Sequence, residues 1–257
     1  MNGRIFDSHS HLDAPEFDPD RDAVIARAEA AGVSQQLVPA IDHDSWPKLK
    51  DVCSLRPSLH AAYGLHPMFL ARHRPEHLES LREWIEREKP KAVGECGLDF
   101  FVEGLDAQAQ RPYFRRQLEI ARDFDLPVVV HARRAVEEVT ATIRSVGGLR
   151  GVIHSYSGSE EQARQLFGLG FLLGIGGPVT YERARRLRRI VSTMPLEFLL
   201  LETDSPDQPD AQHRGQRNEP ALLVDVLDSV AGLRNADPGA LAEATTENAQ
   251  RLFRIRQ

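Results

Sequence analysis

The sequence predicts a (β/α)8 TIM barrel, and three observations point there. Its 257 residues match the ~250 that such barrels use, so one barrel domain over 1–257 is expected rather than two smaller domains. Eight short apolar runs alternate with segments of helical spacing, the order of a parallel sheet wrapped by helices. No Gly-rich phosphate fingerprint follows the first run, which disfavours an open doubly wound sheet.

The predicted strands span 4–7, 36–39, 60–64, 92–94, 127–130, 151–153, 171–174 and 197–201. Most are continuously apolar, as strands covered on both faces should be. After the first strand a helix is expected over 21–31, with Val24, Ile25 and Ala28 on one face and Gly32 as its stop. A second is expected over 109–124, with Phe114, Leu118 and Ala121 in register. Ser159, ahead of Glu161 and Gln162, reads as the N-cap of a helix carrying Ala163 and Leu166. After the seventh strand, Gly176-Gly177-Pro178 leads to a helix expected from Thr180 or Tyr181. Phosphate often rests on backbone amides at that barrel position, although tight loop geometry explains the same residues. On this helix Ala184, Leu187, Ile190 and Val191 mark a buried face. Arg183, Arg185, Arg186, Arg188 and Arg189 spread round the rest, and a solvated surface is preferred to a nucleic-acid track.

With 41% hydrophobic and 27% charged residues, the chain is neither disordered nor fibrous. Its net charge of −6 argues against a protein that coats nucleic acid by bulk electrostatics. A cleft with locally positive potential remains compatible with that balance. No apolar run approaches the ~18 residues of a membrane span, and no signal-peptide core precedes the first strand. Cys53 and Cys96 make neither a disulfide framework nor a zinc knuckle. A cytoplasmic chain, monomeric by default and with no membrane or obligate protein partner, is the expectation.

Chemistry concentrates at the predicted strand ends. Strand one ends in Asp7-Ser8-His9-Ser10-His11, and residues two apart in an extended segment project to one side. Glu95 follows strand four, His131 strand five, His154 strand six, and Glu202-Thr203-Asp204 strand eight. A parallel barrel brings these ends to one rim, where its active sites form. Buried and unpaired these groups would be costly, whereas as metal ligands they are satisfied. His9, His11, Glu95, His131, His154 and Asp204 are too many for one ion that keeps a position for water, so two divalent ions (Zn, Mn, Mg or Ni) are expected. Glu95 is the expected bridge between them, because it comes from the strand between the two histidine groups; a carboxylated lysine in that role is disfavoured, since Lys91 sits at the start of the strand.

Two ions carry about +4 against about −2 from the ligands, so the site should attract an anion such as a phosphodiester. Arg133 and Arg134 follow His131 and could grip phosphate oxygens or simply start a solvated helix. His66 could contact substrate or be a structural histidine before Pro67. Asp7 and Asp99 could orient ligand imidazoles. Cys96 reads as a packed residue rather than a nucleophile.

These residues resemble the TatD family of metal-dependent hydrolases. The resemblance rests on Ile5-Phe6-Asp7-Ser8-His9-Ser10-His11-Leu12-Asp13, on the run from Pro127 through His131 to Glu137, and on Leu201-Glu202-Thr203-Asp204-Ser205-Pro206. Gly64-Leu65-His66-Pro67, Gly94-Glu95-Cys96-Gly97-Leu98-Asp99, His154-Ser155-Tyr156-Ser157-Gly158, Asn218-Glu219-Pro220 and Thr246-Glu247-Asn248-Ala249 extend it over nearly the whole chain. The likeness is greatest to the bacterial YjjV-type branch. It departs from the commonest pattern at Ser155 and Tyr156 and around 208–217.

The resemblance implies a two-metal phosphoesterase, often described as a deoxyribonuclease with 3′-to-5′ exonuclease activity. It implies one ion on His9, His11, Glu95 and Asp204, and another on Glu95, His131 and His154. The expected reaction is hydrolysis of a DNA or nucleotide phosphodiester by a two-metal-activated hydroxide, with Asp204 as general base and Glu95 as catalytic bridge. His66 and Arg133 are the expected substrate contacts. The rival reading is a metal-dependent amide or ester hydrolase, a deacylase acting on a small or tRNA-linked substrate. A three-ion phosphatase of the histidinol-phosphate type and a non-catalytic binding module are further alternatives.

Overall fold

In the computed structural model, which describes residues 4–255, eight parallel strands pair in sequence order. They are β1 (Ile5–Asp7), β2 (Val33–Pro39), β3 (Leu59–Tyr63), β4 (Ala92–Asp99), β5 (Val128–Arg133), β6 (Gly151–Ile153), β7 (Phe171–Ile175) and β8 (Leu199–Leu201). Ser8 N donates to Leu201 O at 3.0 Å, which joins the first strand to the last and nearly closes the barrel. The main helices α1 (Arg21–Ala30), α2 (Trp46–Ser54), α3 (Glu76–Glu88), α4 (Ala107–Asp123), α5 (Val136–Val146), α6 (Glu160–Gly168) and α7 (Arg185–Thr193) each follow the strand of the same number. Helices α8 (Leu223–Arg234) and α9 (Pro238–Phe253) follow β8. Among the described residues no helix is long and apolar enough to cross a membrane.

Two apolar clusters account for this arrangement. One takes a single buried residue from every strand: Phe6, Leu37, Ala62, Ala92, Val129, Val152, Leu172 and Leu200. Leu252 and Phe253 of α9 join it, with Phe6 stacked on Phe253 at 5.9 Å, so the end of the barrel opposite the mouth is plugged by side chains. The other cluster, from Ile5 and Val38 to Leu118, Ile143 and Leu227, lies between strands and helices. Burial on both strand faces is why the strands read as unbroken apolar runs.

Local signals act as expected at several places. The helix α1 covers the predicted stretch, and Gly32 follows it at φ +96°. Ser159 caps α6 reciprocally: its hydroxyl accepts from Gln162 N at 3.1 Å, and Gln162 Oε1 accepts from Ser159 N at 2.9 Å.

Other boundaries shift. The strand β2 begins at Val33, and β8 only at Leu199, because Leu196–Phe198 form a 3-10 turn after Pro195. The helix expected from Thr180 or Tyr181 begins instead at Arg185. Gly177–Thr180 form a 3-10 turn, and a Cβ on Gly177 would lie 2.1 Å from Gln208 O. Loop packing, rather than a phosphate cradle, accounts for that glycine.

The most consequential shift is in β4 and β5, which run past Glu95 and His131 instead of ending before them. Pairing jumps from Val93↔Val128 to Cys96↔Val130, three steps on β4 against two on β5. This one-residue bulge at Gly94 and Glu95 re-aims the carboxylate. Beyond it Gly97, at φ +145°, lies so close to β5 that a Cβ would sit 2.0 Å from His131 O. Gly97→Ala therefore combines a disfavoured backbone with a collision inside the barrel. We expect a loss of at least ~2 kcal/mol in unfolding free energy, checked by denaturant titration against the parent chain.

Candidate metal centre

The C-terminal rim of the barrel gathers all six predicted ligands around one buried carboxylate. Glu95 is 1% exposed and its two oxygens face different partners. Oε2 lies 3.1 Å from His9 Nε2 and 3.5 Å from His11 Nε2. Oε1 lies 2.8 Å from His154 Nε2 and 3.1 Å from His131 Nδ1. On the first side, Asp204 Oδ1 is 3.5 Å from His9 Nε2 and 3.6 Å from His11 Nε2. On the second, His131 Nδ1 and His154 Nε2 are 3.3 Å apart.

Hydrogen bonds behind the rings indicate which nitrogens face the cluster as lone pairs. His11 Nδ1 lies 3.2 Å from Pro39 O, a group that only accepts, so this nitrogen carries the proton and Nε2 is free. His131 Nε2 lies 2.8 Å from Asp99 Oδ2, which leaves Nδ1 free. Burial works to raise Asp99, but the His131 hydrogen bond and the amides of Val102 and Phe101 hold it at about 2. Asp99 thus orients an imidazole as anticipated. Asp7 does not: it accepts from the backbone amides of His9 at 3.2 Å and Thr203 at 3.0 Å, tying β1 to the segment after β8.

Asp204 occupies a left-handed conformation at φ +57°, with its amide donating to His9 O at 2.8 Å. Burial pushes its carboxyl up to about 6 against the pull of His154 and His11. Gln208 donates to its Oδ2, a contact that sequence reading missed because Gln208 lies in a loop with no motif around it. Asn218 secures that loop by donating to Thr203 O at 2.8 Å and Asp207 O at 2.7 Å.

His66 sits closer to the centre than its sequence reading required. Its Nδ1 accepts from Met68 N at 3.1 Å, so the proton rests on Nε2, which donates to Glu95 Oε1 at 2.8 Å. Burial holds this ring neutral, down at about 4, although Glu95 opposes the shift. Its tautomer makes it a donor to Glu95 that also lines the cleft.

The site fits divalent metal. Nitrogen and oxygen lone pairs converge at 3.1–3.6 Å, and Glu95 Oε2 is buried without a hydrogen-bond donor. Burial tends to raise Glu95, yet His66, His154 and His9 hold it well below the usual carboxylate range. Such a cluster of imidazoles and carboxylates could hold a divalent cation.

Above the centre opens a cleft of about 1530 Å³. Arg183, Arg185 and Arg186 line one wall, with Arg186 Nη2 donating to Ser157 O at 2.7 Å. These three arginines are exposed, as expected of a solvated surface, and the part of that surface they occupy borders the cleft. Arg133 also lines the cleft and stacks 3.8 Å over the Phe101 ring, while Arg134 lies over the same ring at 4.6 Å. Cys96 is fully buried, and its thiol is raised above the ordinary range by burial, as a packed residue should be.

A parallel barrel whose mouth converges imidazoles and carboxylates in this way is that of a metal-dependent hydrolase. A family model described as TatD related DNase matches residues 6–254, and the chain belongs to that family. YjjV of Escherichia coli K12, named an uncharacterized metal-dependent hydrolase, is 36% identical over 98% of each chain. A Cronobacter sakazakii protein named 3′-5′ ssDNA/RNA exonuclease TatD is 34% identical over 97% of each. The crystal structure of Escherichia coli YjjV superposes with a TM-score of 0.96, covering 100% of both chains.

The segment after β8 is also anchored by charge. Arg217 reaches Asp20 Oδ1 at 2.9 Å and Oδ2 at 2.8 Å, and Glu219 at 2.8 Å. Arg217 first, then Arg27, holds Asp20 down at about 2 from 3.8. A depressed carboxyl stabilises the fold above its unfolded value, and that stabilisation is lost as pH falls through its folded value. Arg217→Ala should therefore lower the melting temperature modestly at pH 7 and narrow the drop seen between pH 4 and 2. Thermal melts of both proteins across that range check this.

Proposed function

We propose that this chain is a two-metal phosphodiesterase acting on nucleic acid, with exonuclease-like removal of nucleotides from a single-stranded 3′ end. The observation that carries the reading is the division of Glu95: one oxygen faces His9 and His11, the other His131 and His154. In this reading His9, His11, Glu95 and Asp204 hold one ion, and Glu95, His131 and His154 the second. Zn, Mn, Mg or Ni would each suit such mixed nitrogen and oxygen ligands. When bound, such ions polarise a phosphoryl oxygen and acidify water, lowering the barrier to in-line displacement.

The chain's own residues supply the rest. Asp204, whose Oδ1 faces the His9 and His11 side of the centre at the cleft, takes the proton from the attacking water. Gln208, donating to the other oxygen, holds that carboxylate in place. His66 keeps Glu95 oriented by donating to Oε1 and presents its ring to the cleft. Arg133 and the wall of Arg183, Arg185 and Arg186 bind phosphates flanking the scissile bond, where guanidinium forks match phosphate oxygens. Phe101 lies under Arg133 and supports its guanidinium at the edge of the cleft. The exonuclease name carried by the Cronobacter relative supports the same substrate class.

Stripping the protein with chelator should abolish cleavage of a 3′-labelled or 5′-labelled single-stranded oligonucleotide, and Mn or Mg should restore it. A 5′-labelled strand should yield a ladder shortening from the 3′ end. Acyl-ester hydrolysis without any phosphodiester turnover would overturn the assignment. Glu95→Ala should lower kcat at least ~100-fold, about 2.7 kcal/mol of barrier. Arg183→Ala combined with Arg186→Ala should raise KM severalfold for the oligonucleotide and leave a bis-nitrophenyl phosphate nearly unaffected. Steady-state kinetics with both substrates at fixed salt measure that contrast.

A further inference from the structure

The imidazoles at the mouth are not equally supported from behind. His11 is backed by Pro39 O and His131 by Asp99, both at hydrogen-bond distance. Among the described residues His9 and His154 have no such partner: Nδ1 of each is buried and unpaired. A third unpaired buried atom, Glu202 Oε2, belongs to a fully buried carboxylate just beyond β8. A ring nitrogen of His9, one of His154 and a carboxylate oxygen of Glu202 lie within 4.8 Å of one another. The two rings stack with centroids 4.0 Å apart and planes 15° from parallel, so both can turn an edge toward the same acceptor. Glu202 Oε1 is already 3.6 Å from His154 Nδ1 and accepts from Ser155 N at 2.5 Å.

We propose that Glu202 is a positioning residue shared by the two metal positions, accepting from Nδ1 of both His9 and His154 so that each presents its Nε2 lone pair toward Glu95. The inference rests on the metal reading given above. It explains the three unpaired atoms together, because two N–H donors and one carboxylate are complementary, and a buried charge needs such partners. It also explains the backbone underneath. A Cβ on Gly174 would lie 2.0 Å from Glu202 Oε2, and one on Gly176 3.4 Å from its Cγ, so β7 leaves a slot that only this side chain fills. His9 belongs to one proposed ligand set and His154 to the other, so one carboxylate couples the geometry of both.

Zinc titration of chelator-stripped protein by calorimetry, with thermal unfolding of each stripped variant as the fold control, tests this. The parent should take up two zinc ions. Glu202→Gln keeps the shape but turns an amide N–H toward the imidazole donors. It should still bind two ions, each roughly 10–100-fold more weakly, and Glu202→Asp should recover part of the loss. Nitrogen-15 histidine spectra of the zinc-loaded parent should show Nδ1 protonated on His9 and His154. Those two signals should move in Glu202→Gln while His131 keeps its Nε2–H.

Unchanged affinity in Glu202→Gln overturns the proposal, as does weakening confined to one ion. A lower melting temperature with normal zinc affinity would make Glu202 merely structural. A parent that binds three ions, falling to two in the variant, would make it a ligand instead. A parent that binds two ions yet cleaves no phosphodiester defeats the proposed function alone, and one that binds none defeats both.

Discussion

A single buried carboxylate organises the mouth of this barrel. Glu95 is removed from water, which by itself drives a carboxyl to protonate, yet imidazoles on three different stretches hold it charged. Each of its oxygens serves one group of rings, so moving the carboxylate disturbs both groups at once. The bulge in β4, the close approach of Gly97 to β5 and the donor on His66 all act on the position of this one group. An uncompensated charge at that depth would be strongly destabilising, so the surrounding imidazoles and the barrel's integrity are linked.

Around this centre the protein separates its charges. The chain is acidic overall, with a net charge of −6, but arginines of α7 and the end of β5 face the cleft. The opposite wall carries Asp13, Asp42 and Asp44, with Asp42 paired to Arg72 at 2.8 Å. Lys48 and Arg72 line the cleft beside these carboxylates, so that wall is mixed in charge while the arginine wall is positive.

The six converging residues were legible because their spacing reflects strand geometry. His9 and His11, two apart after β1, project to one side, and alternation of strands with helices placed Glu95, His131, His154 and Asp204 on a common rim. Supporting residues were less legible. Glu202 stood beside Asp204 in plain view, but nothing in its neighbours indicates that its carboxyl lies near His9 and His154. Gln208 lies in an irregular loop, and Asp99 was one of two equivalent guesses, of which Asp7 bonds to backbone instead. Arg183, Arg185 and Arg186 follow a helical pattern that looks like ordinary surface. Their facing the cleft depends on where α7 starts relative to the mouth.

The order of elements, the barrel and the identity of the six converging side chains are set by local patterns: apolar runs, capping residues and ligands at strand ends. These need only neighbours in the chain, since periodicity and propensity act over a few residues. Tertiary structure alone decided which oxygen of Glu95 faces which imidazole, which ring nitrogen carries a proton, and what stands behind each ring. Those choices depend on contacts between residues far apart in sequence, such as Asp99 with His131 and Glu202 with Ser155. Only closure of the barrel brings them within hydrogen-bonding distance.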